Sequence, residues 1–160
     1  MTMRDRIENL WQMVHRNVAE RGWSLMAVHP DQDTPGFTYS LGAWDLALPE
    51  LIVFGLPASM AGPILNRMLD AAKAGLVLKE GVSYSEFSNL PLQLKALIPE
   101  QTREHMKLAW TYHAKGRPAP PIEVPFLAFQ VVYPDPRGLF PWEEGYQFPM
   151  QELLWLPEKG

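Results

Sequence analysis

The chain has 160 residues and a mass of 18.2 kDa, with 47% apolar and 20% charged side chains, a balance that supports one sizeable buried core and excludes a disordered chain. A formal net charge of −4 and a pI near 5.5 argue against a general grip on nucleic-acid phosphates. The lack of cysteine excludes a disulfide scaffold, a thiolate zinc site, an iron–sulfur cluster and a cysteine nucleophile together.

The start, Met1-Thr2-Met3-Arg4-Asp5-Arg6-Ile7-Glu8, mixes charges of both signs and leads into no apolar run, so no secretory signal is expected. Ile7, Leu10, Trp11, Val14 and Val18 recur at helical spacing, and Gly22 is placed to stop that helix. Trp23–His29 reads as a strand ended by Pro30. Thr34-Pro35-Gly36-Phe37 fits a type II turn, and Phe37–Leu41 is the next strand, so the two strands form an antiparallel hairpin. Leu51–Leu56 is apolar without alternation and therefore central in its sheet. The uncharged apolar run that contains it, Leu51–Ala58, is eight residues long, against the roughly 20 that a membrane helix needs.

Ile64, Leu65, Met68, Leu69 and Ala72 define a second helix closed by Gly75, and Pro63 leaves its start open between Ser59 and Pro63 itself. Leu76–Phe87 has room for one or two short strands. Leu92–Leu97 alternates as a strand. A third helix is predicted over roughly Glu100–Lys115, with Met106, Ala109 and Trp110 as its buried stripe and His105 and His113 as partly exposed side chains. Phe126–Tyr133 is the last clear strand. Nine prolines fall at or after Pro118, but Phe140, Trp142, Tyr146, Phe148 and Trp155 interleave them, so this tail should pack on the core. The expected architecture is a single α+β domain over residues 1–160, with a mostly antiparallel sheet and about three helices gathered on one side.

An ordered set of short motifs resembles a known family. The set comprises Gly22-Trp23, Phe37-Thr38-Tyr39-Ser40-Leu41-Gly42, Pro49-Glu50-Leu51, Leu65-Asn66, Gly75, the stretch from Asp135 through Gly138 to Phe140-Pro141-Trp142, and Gln151. Over about residues 20–155 the chain resembles the bacterial family catalogued as domain of unknown function 4262. The resemblance implies a fold and a bacterial or phage origin, and it supplies no activity that transfers to particular residues. Ser40 stands where that family more often has Thr, and the cysteines some relatives carry near the N-terminus are absent.

Candidate chemistry is sparse. His29, Asp31 and Asp33 alternate at a strand end, but a catalytic metal usually takes three protein ligands. With the other histidines far along the chain, a solvated Asx turn is the better reading and no metal is expected. Tyr39 and Glu50 end neighbouring strands and suit either ligand binding or acid–base work. Asp135 and Arg137 belong to a turn, Trp142 to an aromatic hook or a stacking surface, and Asn66 to the second helix. Phosphate loops, dinucleotide fingerprints, nucleophile elbows and HExxH helices are absent from the sequence.

The first expectation is therefore a small cytoplasmic binding or interaction module for a protein or small ligand. It uses no cofactor, nucleic acid or membrane, and a homodimer is a subordinate expectation. The second is an enzyme with an acid–base cleft built from His29, Asp31, Tyr39, Glu50 and Asp135, acting on a polar metabolite or a nucleotide-like substrate. Asn66, Arg137 and Trp142 complete the candidate ligand-binding set.

Overall fold

A computed structural model describes residues 2–114, 126–147, 151, 153 and 154. Helix α1 (Met3–Arg21) opens on a capping box in which Thr2 and Asp5 satisfy each other's backbone N–H groups, and it closes on Gly22 at φ 109°. Strands β1 (Ser24–Val28) and β2 (Phe37–Leu41) form the expected antiparallel hairpin. Their connection departs from the predicted type II turn: Gly36 does not have the positive φ such a turn requires. Asp31 shapes the loop instead, its Oδ1 accepting the N–H groups of Asp33 and Thr34. Glycine is needed at position 36 for space, because a Cβ there would lie 2.9 Å from Pro30 Cδ.

Strand β3 (Glu50–Phe54) is buried throughout, consistent with a central place. Helix α2 (Ala58–Lys73) settles the open start in favour of the earlier residues, with Pro63 inside it at an exposed position. The first turn buries Ala61, which offsets the hydrogen bond that Pro63 withholds. Of the strands expected within Leu76–Phe87, only an isolated bridge between Tyr84 and Leu92 forms. Strand β4 (Gln93–Ala96) follows.

The third predicted helix is two. α3 (Pro99–His105) and α4 (Lys107–His113) meet at Met106, whose φ of −104° and ψ of 52° break the helix. Within α3 the Thr102 hydroxyl donates back to the Pro99 carbonyl, a contact that bends helices, and accepts the Trp110 indole N–H at 3.1 Å. The kink lets α4 bury Ala109, Trp110, Tyr112 and His113. Lys115 and Gly116, the expected end of this helix, lie outside the described residues.

Strand β5 (Ala128–Val132) completes a five-stranded sheet of order β1-β2-β3-β5-β4. Three neighbouring pairs are antiparallel and β3–β5 is parallel, so the sheet is mixed within an α+β fold. Successive residues of a strand face opposite ways. Leu51 and Val53 accordingly pack under α2, while Ile52 and Phe54 join Val14 of α1 and Met106, Ala109 and Trp110. The helices thus cover both faces rather than the expected single side. Buried apolar positions spaced for two opposite strand faces require cover on each.

The C-terminal segment packs on the core where it is described. Phe140, Gln151 and Leu154 are buried. Gln151 brackets Tyr133 by accepting its N–H and donating to its carbonyl, and Leu154 N–H donates to Gln130 Oε1. Phe148 and Trp155 lie outside the described residues.

Candidate functional site

Glu50 is the most elaborately held polar group. It begins β3 and is 0% exposed, with no bulk water to solvate its carboxylate. The chain supplies donors instead. Gly42 at φ 101° turns the backbone after β2 into a 3₁₀ turn over Ala43–Leu46, aiming three N–H groups at the carboxylate. Gly42 N–H reaches Oε2 at 2.9 Å, Ala43 N–H reaches Oε1 at 3.3 Å and Trp44 N–H reaches Oε2 at 3.3 Å. Ser40 accepts the Leu51 N–H, which directs its own O–H to Oε1 at 2.8 Å. His113 Nε2 lies 2.5 Å from Oε2. With every other neighbour a donor, the network assigns a proton to Nε2 and has His113 donate.

The other ring nitrogen of the buried imidazole points toward Asp45, whose side chain is half-exposed. His113 Nδ1 stands 3.8 Å from Asp45 Oδ1, and Tyr112 donates its hydroxyl to Asp45 Oδ2 at 2.6 Å. Burial raises the Tyr112 hydroxyl, followed by the bond and charge of Asp45 and the charge of Glu50. Tyr112 therefore remains a proton donor to Asp45. Five donors on Glu50 exceed the roughly four lone-pair positions of a carboxylate, so no acceptor capacity remains there for a substrate. The arrangement clamps the end of β2, the 3₁₀ turn and α4 onto β3.

The other predicted residues do not join this cluster. Tyr39 pairs with Ile52 in the sheet, and its buried hydroxyl accepts Leu108 N–H at 3.2 Å. Burial pushes that hydroxyl up to about 12, against the smaller opposing effect of the Leu108 bond. His29 is exposed beside Pro30, and Asp31 spends Oδ1 on its own loop. Among the described residues, no hydrogen bond joins any two of His29, Asp31, Tyr39, Glu50 and Asp135.

Asp135 anchors the second turn. Its side chain accepts N–H groups from Arg137 and Leu139 at 2.9 Å each and from Gln147 at 3.1 Å. Arg137 donates to the Gly145 carbonyl and lies 3.9 Å from Asp135. Trp142 stacks on Phe140 at 4.9 Å, with Lys95 Nζ 4.7 Å from its ring. Burial alone would raise the Asp135 carboxyl. The three backbone donors, then the Arg137 charge, outweigh it and hold the group below its ordinary value. Its stabilisation is therefore complete above the unfolded-state value of about 4 and disappears as pH falls through the lower folded value. Asp135→Asn turns an N–H donor onto this cradle of donors. It should destabilise the fold at neutral pH and flatten the acid limb of the stability curve, as measured by urea melts between roughly pH 2 and 7.

Hollows in the surface of the described residues include the following. One of about 410 Å³ lies between α2 and residues 88–92 and is walled mainly by Met60, Pro63, Ile64, Leu90 and Leu92. Arg67, exposed on α2, lines it and donates to the Phe87 carbonyl at 3.1 Å. A second, of about 520 Å³, lies between α1 and α2 and contains the predicted Asn66. A third, of about 410 Å³, runs past His29 between the β1–β2 loop and the start of α2. Among the described residues no helix is long and apolar enough to cross a membrane, and no group of three or more His, Asp and Glu is placed to hold a metal ion.

The family model described as Domain of unknown function (DUF4262) matches residues 17–147. The chain belongs to this family. No curated protein and no solved structure matches it. In this DUF4262 chain the motifs that carry the resemblance meet one another. Trp23 Nε1 donates to Asn66 Oδ1 at 3.0 Å, joining the first and fourth pieces. Ser40 and Gly42 donate to Glu50, joining the second and third. Gln151, just past the matched span, closes on Tyr133.

His113 is the residue that the sequence reading misplaced. The stripe of Met106, Ala109 and Trp110 continues at helical spacing to position 113, so the same periodicity that found the stripe extends to this histidine.

Proposed function

We propose that this DUF4262 chain is a binding module for a small ligand, seated in the cleft between α2 and residues 88–92. The ligand has an apolar body and a single anionic group. One observation carries this reading: among the described residues Arg67 is the only charged side chain lining that cleft, and it has no carboxylate partner among them. The Phe87 carbonyl holds one arm of the guanidinium, which orients the remaining N–H groups without neutralising them. The volume falls within the range of small-molecule sites, and apolar walls with few convergent polar groups are their usual make-up. Saturation of Glu50 favours binding over acid–base catalysis, because the best-placed carboxylate has no lone pair to offer.

Octanoate, octanol and octylamine serve as probes, followed by amide chemical shifts. Octanoate should shift residues of α2 and of 88–92 and bind at least tenfold more tightly than either analogue. Arg67→Gln should remove that preference, since a hydrogen bond to a charged group contributes about 1.5–3 kcal/mol. Met60→Trp, at an exposed wall position, should block all three. Equal affinity for octanol, or no binding by any probe, overturns the proposal.

A further inference from the structure

The hollow between α1 and α2 has a different chemistry from the Arg67 cleft. Its polar lining consists of Asn17, Glu20, Arg21, Ser24 and Asn66, with Trp23 beneath. The Trp23 indole is a donor only, so the Asn66 atom facing it at 3.0 Å must be the carbonyl oxygen. That bond fixes the carboxamide and leaves Nδ2, with two N–H groups, without a partner among the described residues. Asn17 donates Nδ2 to Ser24 Oγ at 3.1 Å, leaving its Oδ1 as an acceptor. Glu20 and Arg21 line the same hollow with opposite charges, and neither has an ion-pair partner among the described residues. The Arg21 guanidinium lies 5.8 Å from the centre of the Trp23 ring. Met13 and Leu25 supply an apolar portion of the lining.

We infer that this hollow is a ligand site, separate from the Arg67 cleft, for a zwitterion of the α-amino-acid type: an acceptor end for Asn66 Nδ2 and Arg21, a cationic donor end for Glu20 and Asn17 Oδ1, and an apolar side chain against Met13 and Leu25. Two unpaired charges of opposite sign in one concavity select against a ligand of single charge, because such a ligand satisfies one and desolvates the other. The orientation of Asn66 is set before the ligand arrives, so that hydrogen bond costs little ordering.

L-leucine is the probe, with its two halves as controls: 4-methylpentanoate, which lacks the ammonium, and isoamylamine, which lacks the carboxylate. The readout is the pair of Asn66 side-chain amide resonances, replaced in the Asn66→Asp variant by the Asn17 side-chain amide pair of the same hollow, with the Trp23 indole N–H as an internal check. L-leucine should shift the Asn66 amide pair while the indole resonance keeps its hydrogen-bonded position, and each half should bind at least tenfold more weakly. Asn66→Asp retains an acceptor for the indole but removes the two donors, and Glu20→Gln and Arg21→Gln are surface changes. Each should weaken L-leucine about tenfold while the melting temperature stays near that of the parent chain. Saturating octanoate should leave L-leucine affinity unchanged, which separates this site from the Arg67 cleft. Equal binding of either half, no binding of L-leucine, or a response that ignores all three substitutions overturns the inference.

Discussion

Glu50→Gln should cost about 2–6 kcal/mol of folding stability, the loss expected when two or more buried donors lose their acceptor. The substitution keeps the size of the side chain and changes only its hydrogen-bonding sense. If the new amide nitrogen takes the Oε2 position, it faces the N–H groups of Gly42 and Trp44 and His113 Nε2. If it takes the Oε1 position, it faces Ala43 N–H and the Ser40 hydroxyl, and that hydroxyl is already oriented by Leu51 N–H. Either orientation leaves at least two buried donors opposed, at about 1–3 kcal/mol each. For a chain of this size the melting temperature should fall by roughly 10 °C, measured by circular dichroism. Ser40→Ala removes one of the five donors to Glu50 and the acceptor of Leu51 N–H, leaves the other four donors in place, and should cost less. A Glu50→Gln variant that melts with the parent chain would mean that the clamp does not hold the fold together.

The sequence made the apolar framework legible and left the polar clamp hidden. Strand Phe37–Leu41 has the same limits in the structure as in the periodicity reading, and β3 begins one residue earlier than expected, at Glu50. That residue shows why: a glutamate reads as the end of an apolar run, because its burial depends on donors from Gly42, Ala43, Trp44 and His113 elsewhere in the chain. Tyr39 and Glu50 lie on neighbouring strands as expected, Glu50 at a strand end and Tyr39 in mid-strand rather than at an end. Their side-chain partners, Leu108 and His113, come from a helix more than fifty residues away. Local signals were sufficient where the physics was local, as in the Asp31 loop and the Asp135 turn. The Arg67 cleft was not legible, since its second wall, residues 88–92, has neither helical nor strand periodicity through most of its length.

Gly42→Ala tests the same clamp from the backbone side. Gly42 and Gly75 both have φ above 100°, a conformation that costs a residue with a Cβ about 1–2 kcal/mol. Around Gly75 nothing lies within 4 Å of where a Cβ would sit, so Gly75→Ala should show that conformational cost alone. At Gly42 the added carbon would lie 2.8 Å from Val18 Cγ2 and 3.3 Å from both the Gly22 carbonyl oxygen and Trp23 Cα. The valine methyl can shift, but the two backbone atoms belong to the two-residue link between α1 and β1. The turn must therefore move, and the Gly42 N–H leaves Glu50 Oε2. That adds the cost of a buried unpaired group, about 1–3 kcal/mol, so Gly42→Ala should lose clearly more stability than Gly75→Ala in urea melts. The excess should shrink when Glu50 is already Gln, because the hydrogen bond it reflects is then already compromised. A double-mutant cycle that is strictly additive would separate the turn from the carboxylate, whereas coupling of about 1 kcal/mol or more would place them in one unit.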